Sequence, residues 1–235
     1  MNTPRPNHPI RRTLKHLALA SAMMVAAIAM MPGSASAAPI TWGPVSVFND
    51  ATDVNANGLA VVVAAGANWA GTVNGVTFTD EWPGGTLSNF DDAVAYPAGT
   101  FMNATGDAAF DALVGTLPYD SGTTTITLSG LTDGHAYRLQ CFIVDDRGAY
   151  HTRTQNLGDL DGGTPSVSIA RGNTGTLTSG NTIYGDFTAD ADGIQEFTVI
   201  GTDTMLSGYV LTTVPEPSSA LLGGLGLLAL LRRRR

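Results

Sequence analysis

Between Thr123 and Thr213 the apolar residues recur largely at every second position, in short runs separated by glycine, proline, asparagine or aspartate. That period puts successive side chains on opposite faces of an extended chain, so the pattern predicts strands and turns. Thr123–Leu128 alternates and is rich in β-branched residues. His135–Val144 sets Tyr137, Leu139, Cys141 and Ile143 on one face, with Arg138 and Gln140 and then Phe142 and Val144 on the other. Tyr150–Leu157, Pro165–Ala170, Thr182–Thr188, Gly193–Ile200 and Leu206–Thr213 follow as further strands. Upstream, the continuous apolar run Leu59–Ala64 predicts a strand buried on both faces, and Val73–Thr79 predicts a hairpin, or one bulged strand, about Asn74-Gly75. Only Gly106–Leu117 has helical spacing, with Phe110, Leu113 and Val114 on one face and Asp107 in the first turn, where the helix dipole favours an anion. Roughly eight to ten short strands with one short helix predict an all-β fold, a two-sheet antiparallel β-sandwich.

The two ends follow other rules. Arg5, Arg11, Arg12 and Lys15 precede an apolar stretch from Leu17 to Met31, and the small residues Ala35-Ser36-Ala37 come next. This predicts a secretory signal peptide over 1–37, with Ala35 and Ala37 as the signal peptidase site. The Arg11-Arg12 pair points towards twin-arginine export, but Lys15 fits ordinary secretion better, and no cysteine marks a lipoprotein site. At the other end stand Pro215-Glu216-Pro217, the apolar run Ala220–Leu231, and Arg232, Arg233, Arg234 and Arg235. Two prolines so close together make an extended, accessible hinge. The apolar run predicts a short hydrophobic helix, below the roughly 20 residues of a stable membrane span. The arginines predict a cytoplasmic stop.

These three parts in this order resemble the PEP-CTERM sorting signal of exported bacterial proteins. The resemblance implies an exosortase-type membrane transpeptidase as partner, a cut near Pro215–Pro217, and only transient membrane residence through the C-terminal helix. The expected organisation is a signal helix over 1–37, a β-sandwich over 38–213 and a sorting signal over 214–235.

Charge narrows the function classes. The chain carries a net charge of −8. Within 38–213 only Arg138, Arg147, Arg153 and Arg171 face nineteen acidic residues, a balance that repels phosphate backbones and excludes nucleic acid as a partner. The single cysteine, Cys141, permits no internal disulfide and is expected as a buried, inert thiol.

Catalytic signatures are absent from the sequence, and a non-enzymatic protein is expected. His135 and His151 are the only histidines of 38–213, no Gly-x-Ser-x-Gly elbow occurs, and nothing singles out a carboxylate pair for a secreted hydrolase. No cofactor is expected beyond a structural calcium, for which Asp145-Asp146, Asp159-x-Asp161-Gly162 and Asp190-x-Asp192-Gly193 are candidates; Asp-Gly turns explain the same residues. For a glycan, Trp82 in an irregular loop is the foremost aromatic platform, followed by Tyr96, Tyr119 and Tyr150, whereas Trp42 and Trp69 are expected in the core. Asp145, Asp146, Arg147 and Arg153 form a polar cluster after the best strand, readable as a glycan site or as an ion-pair network pinning a loop.

Four stretches carry a second resemblance: Ile40-Thr41-Trp42-Gly43, Val73–Thr79, Ile126–Thr154, and Tyr184–Asp190 with Gln195–Val199. They are similar to a group of exported PEP-CTERM β-sandwich proteins, and the layout looks like malectin-like and galactose-binding-like jelly rolls. The resemblance implies a jelly-roll-like sandwich at the cell surface or in the exopolysaccharide (biofilm) matrix. It also implies a structural or adhesive role with exopolysaccharide as partner; the alternatives to that role are a carbohydrate-binding module with its glycan site near Asp145–Arg153 and, third, a secreted hydrolase.

Overall fold

The computed structural model describes residues 39–67, 69–80, 94–117, 119–159 and 166–215. Ala35, Ala37, Trp82, Asp161, Glu216, Pro217 and Arg232–Arg235 lie outside them. Among the described residues no helix is long and apolar enough to cross a membrane.

The strands in chain order are β1 (Thr41–Trp42), β2 (Ser46–Phe48), β3 (Val61–Gly66), β4 (Gly71–Val73), β5 (Val76–Phe78) and β6 (Val94–Ala95). Helix α1 (Ala108–Gly115) follows, then β7 (Thr116–Leu117), β8 (Tyr119–Ser129), β9 (Ala136–Ile143), β10 (Thr154–Asp159) and β11 (Val167–Ala170). The chain closes with β12 (Gly180–Thr188), β13 (Ile194–Met205) and β14 (Gly208–Val214). A six-stranded sheet has the order β1-β12-β9-β14-β3, with β2 also along β12, and a four-stranded sheet has the order β11-β10-β13-β8. All the strand pairs are antiparallel. The fold is an antiparallel β-sandwich with one short helix.

Strand β9 explains the layering. Cys141 stands opposite Ile183 on one side and Tyr209 on the other, and Tyr209 meets Phe197 of the second sheet edge-on at 6.4 Å. Cys141 is thus buried between the sheets, where desolvation raises its pKa and keeps the thiol protonated. The opposite face of β9 is covered as well. Phe142 stacks on Phe48 at 4.8 Å and meets Phe78 of the β4–β5 hairpin at 6.2 Å, and Phe48 meets Phe110 of α1 at 5.1 Å. A partial third layer therefore covers the larger sheet, and β9 is apolar on both faces where that layer lies.

Three expectations change. Strand β3 is an edge strand, so Val61 and Val62 remain 41% and 46% exposed, and only its second half is buried. Asp107 is the N-cap of α1 rather than a first-turn residue, accepting from the Ala109 and Phe110 amides at 3.0 Å each. Tyr150 lies in a turn, and the strand expected from it begins at Thr154.

The register also fixes two ends of the sandwich. Ala136 pairs with both Thr188 and Val214, and Thr41 pairs with Asp186, so the first and last described residues emerge at one pole. The segments after Ile143, before Thr154, after Ala170 and around Met205 gather at the other.

Candidate ligand-binding cleft

The far pole is built by backbone ties between segments distant in sequence. The Asp145 amide donates to the Arg171 carbonyl at 2.9 Å, the Asp146 amide to the Phe101 carbonyl at 2.9 Å, and the Arg171 amide to the Arg153 carbonyl at 3.1 Å. Between these ties lies a cleft of about 390 Å³, within the roughly 300–1,000 Å³ range of small-ligand sites. Its wall includes Tyr96, Phe101, Arg147, Tyr150, Arg153 and Arg171, with Asp203 and Met205 beside them.

Each cationic side chain is positioned differently. The buried Asp145 carboxylate accepts both Nε of Arg147, at 2.6 Å, and its Nη2, at 2.8 Å. That bidentate pair raises the Arg147 pKa against the opposing effect of burial, and it fixes the guanidinium plane. The guanidinium lies 4.8 Å from the centre of the Phe101 ring and 4.4 Å from that of Tyr150. Arg153 also approaches the Tyr150 ring, at 4.4 Å, so one tyrosine carries two cation–π contacts. Tyr96 packs edge-on against Phe101 at 5.0 Å.

A β-bulge supplies the remaining contacts. The register of β13 against β8 shifts between Gly201 and Thr204, and the extra residue leaves Asp203 at φ 55°. Its carboxylate accepts from Nη1 of Arg153. The carbonyls of Thr202 and Asp203 both accept from Nη2 of Arg171, the former at 2.5 Å. The buried Gln155 holds the end of the bulged strand, donating to the Met205 carbonyl at 2.7 Å and accepting the Met205 amide at 3.0 Å.

The sequence-predicted cluster divides in two. Arg147 and Arg153 are in the cleft, as is Tyr150. Asp145 is buried behind them and acts through Arg147. Asp146 is not in the cleft at all. Its Oδ1 accepts the amides of Asn173, Thr174 and Gly175 at 2.8–2.9 Å, and its Oδ2 accepts the Thr178 amide at 2.7 Å and the Thr174 hydroxyl at 2.8 Å. Burial would raise its pKa, but the amides of Gly175, Thr174 and Thr178 and the Thr174 hydroxyl outweigh that and lower it. Asp146 is the clasp of the 173–179 loop. Tyr96 was among the secondary candidates, whereas Phe101, Arg171, Asp203 and Met205 were not singled out. The available signal was the scarcity of arginine: three of the four in 38–213 meet here.

Of the calcium candidates, Asp145 is taken up by Arg147 and Asp146 by the 173–179 loop, and the other described ones lie elsewhere. Asp159 is buried at the end of β10, accepting the Ile40 amide at 2.8 Å and the Gln195 side chain at 2.9 Å. Asp190 and Asp192 shape a turn, the first accepting the Asp192 amide at 3.2 Å and the second the Ile194 amide at 2.8 Å. Among the described residues no three His, Cys, Asp or Glu side chains come together as a metal-binding group.

At the opposite pole β14 ends at Val214 and the backbone passes to the exposed Pro215. Proline has no amide hydrogen for the ladder, so the sheet stops where the hinge starts. Residues 213–235 match the PEP-CTERM protein-sorting motif. The chain carries a PEP-CTERM sorting signal. The signal marks an exported protein, held at the membrane before processing by an exosortase and by signal peptidase. No curated protein matches the chain in sequence. Among solved structures, a calcium-binding mutant of Bacteroides uniformis beta-glucuronidase 2 is similar at 11% identity and a TM-score of 0.45, covering 65% of this chain and 18% of its own. The chain thus spans under a fifth of that enzyme. A structure described as the basis for the promiscuous specificity of carbohydrate-binding modules from the beta-sandwich superfamily is similar at 11% identity and a TM-score of 0.16, covering 74% of this chain and 100% of its own. Neither score carries the argument, and the fold rests on the strand pairing itself.

Proposed function

We propose that this exported PEP-CTERM protein is a non-enzymatic adhesion module of the cell surface or exopolysaccharide matrix, holding a glycan in the cleft at the pole away from its sorting signal. The observation that supports this reading is Tyr150, which lines the cleft under two guanidiniums. Sugar recognition uses an aromatic ring as a platform and fixed polar groups beside it to set orientation. Tyr96, 37% exposed on the cleft wall, offers a ring, and Arg147 and Arg153, packed on Tyr150, offer donors whose positions Asp145 and Asp203 fix. Those two carboxylates are engaged by arginine, an arrangement that favours holding a sugar over cleaving one, since glycoside hydrolysis needs a carboxylate pair flanking the bond.

The test is co-sedimentation of the full-length, detergent-solubilised protein with extracellular polysaccharide from the cells that produce it, with and without calcium. Retention that a soluble sugar competes away, and that Tyr150→Ala abolishes without lowering the melting temperature, is the expected result. Retention indifferent to Tyr150 would remove the cleft from the account. Absence of retention in both conditions would leave a structural role with protein partners.

A further inference from the structure

We infer that the sugar held in this cleft is an acidic one, whose carboxylate meets Arg153 with Arg171 behind it; the inference rests on the glycan reading of the cleft. The argument begins from charge accounting. The cleft gathers three guanidiniums, and two of them have a carboxylate each: Asp145 for Arg147 and Asp203 for Arg153. Arg171 has none. It is 1% exposed, none of the ion pairs among the described residues includes it, its Nη2 donates to neutral backbone carbonyls, and its Nε has no hydrogen-bond partner.

A buried cation without an anion of its own is expensive, because desolvation is not offset by a full opposite charge. Burial, first, and the nearby Arg153 and Arg147 guanidiniums lower the Arg171 pKa, against the opposing influence of Asp203 and Asp145. A ligand anion entering the cleft supplies the missing charge. Arg153, with 42% of its side chain exposed and only one ion pair, is the donor that faces the incoming group.

The rest of the molecule sharpens the inference. At a net charge of −8 the protein as a whole repels polyanions, so an acidic polymer that binds must be recognised locally. The fourth arginine, Arg138, provides an internal control. It pairs with Asp186 in an exposed bidentate bridge at 2.7 and 2.8 Å, near the pole where the termini emerge.

The experiment is affinity electrophoresis of the full-length chain through gels containing polygalacturonate, its carboxyl-reduced form, or dextran sulfate. Polygalacturonate is expected to retard the protein at least about tenfold more strongly than the reduced polymer, and raised salt to erase the difference. Arg153→Gln, which leaves the backbone tie to Arg171 in place, is expected to lose that preference along with part of the retardation by the reduced polymer, and Arg153→Lys, which keeps the charge, to retain the preference. Tyr150→Ala loses both, and Arg138→Gln loses neither; melting curves establish that each variant is folded. Equal retardation by the acidic and reduced polymers overturns this inference and leaves the glycan site standing. Stronger retardation by dextran sulfate than by polygalacturonate overturns the choice of carboxylate. Retardation by none of the polymers, with folded protein, overturns the site and the inference together.

Discussion

Gly172 lies against Asp146 so closely that a Cβ on the glycine would stand 2.5 Å from both the Asp146 Cα and its Oδ1. No side chain of any kind fits there without displacing the backbone that carries Asp146. The clasp on the 173–179 loop therefore requires glycine at 172 for reasons of space alone. Gly172→Ala is expected to destabilise the domain by about 1–3 kcal/mol, the range for overpacking a well-packed site. Urea denaturation of the purified protein checks the value, and an unchanged midpoint would show that the clasp is looser than its geometry.

Asp146 also sets a pH dependence. Its folded-state pKa lies below the ordinary 3.8, so in acid the unfolded chain binds a proton more readily than the native one. The stabilisation is therefore present above the ordinary carboxylate value and declines as pH falls below it. Melting temperature is expected to start falling near about pH 4 and to keep falling below about pH 3, and the drop to be shallower in Asp146→Asn. That variant is itself expected to lose about 2–4 kcal/mol, because an amide NH₂ then faces the Thr178 amide in place of an acceptor. A parallel acid response in both proteins would assign the sensitivity elsewhere.

Calcium removal is expected to leave stability unchanged. Asp159 already has the Ile40 amide and the Gln195 side chain as donors, and Asp190 and Asp192 cap their own turn. EDTA should move the melting temperature by less than about 1 °C, whereas a bound ion at a hundred times its Kd would contribute about 2.7 kcal/mol. A larger EDTA effect would mean that a cation is held.

Processing has a direct readout. Intact-mass measurement of protein recovered from producing cells is expected to show loss of residues 1–37 and a new C-terminus near Pro215. Material still bearing Arg232–Arg235 would contradict a completed sorting cut.

The parts of this fold that were legible are those whose cause is local. Alternation in His135–Val144 marked the central strand, whose second face carries apolar Phe142 and Val144 at its end. What covers that face, Phe48, Phe78 and α1, comes from segments far upstream that no local period connects to β9. The cleft divides in the same way. Arg147, Tyr150 and Arg153 follow the central strand directly, so their proximity could be read. Arg171 and Asp203 arrive from two other strands, and the bulge that aims Asp203 is a register property of β13 against β8. Adjacent Asp145 and Asp146 resemble any acidic loop in sequence. Their burial depends on a guanidinium and a set of amides that only the folded chain supplies.

Strand β14 runs in the interior of the larger sheet, hydrogen-bonded to β9 along one side and to β3 along the other, and its last residue adjoins Pro215. A pull on the chain at Pro215 acts along that strand, so it shears both ladders at once instead of unzipping bonds singly. Strand β9 then carries the tension roughly 25 Å to the far pole, where it runs into Asp145 and Arg147. Drag on a polymer of the kind proposed for the cleft would travel to the chain's exit at Pro215 through two adjacent strands. The short edge strand β1, which would peel, lies off that route.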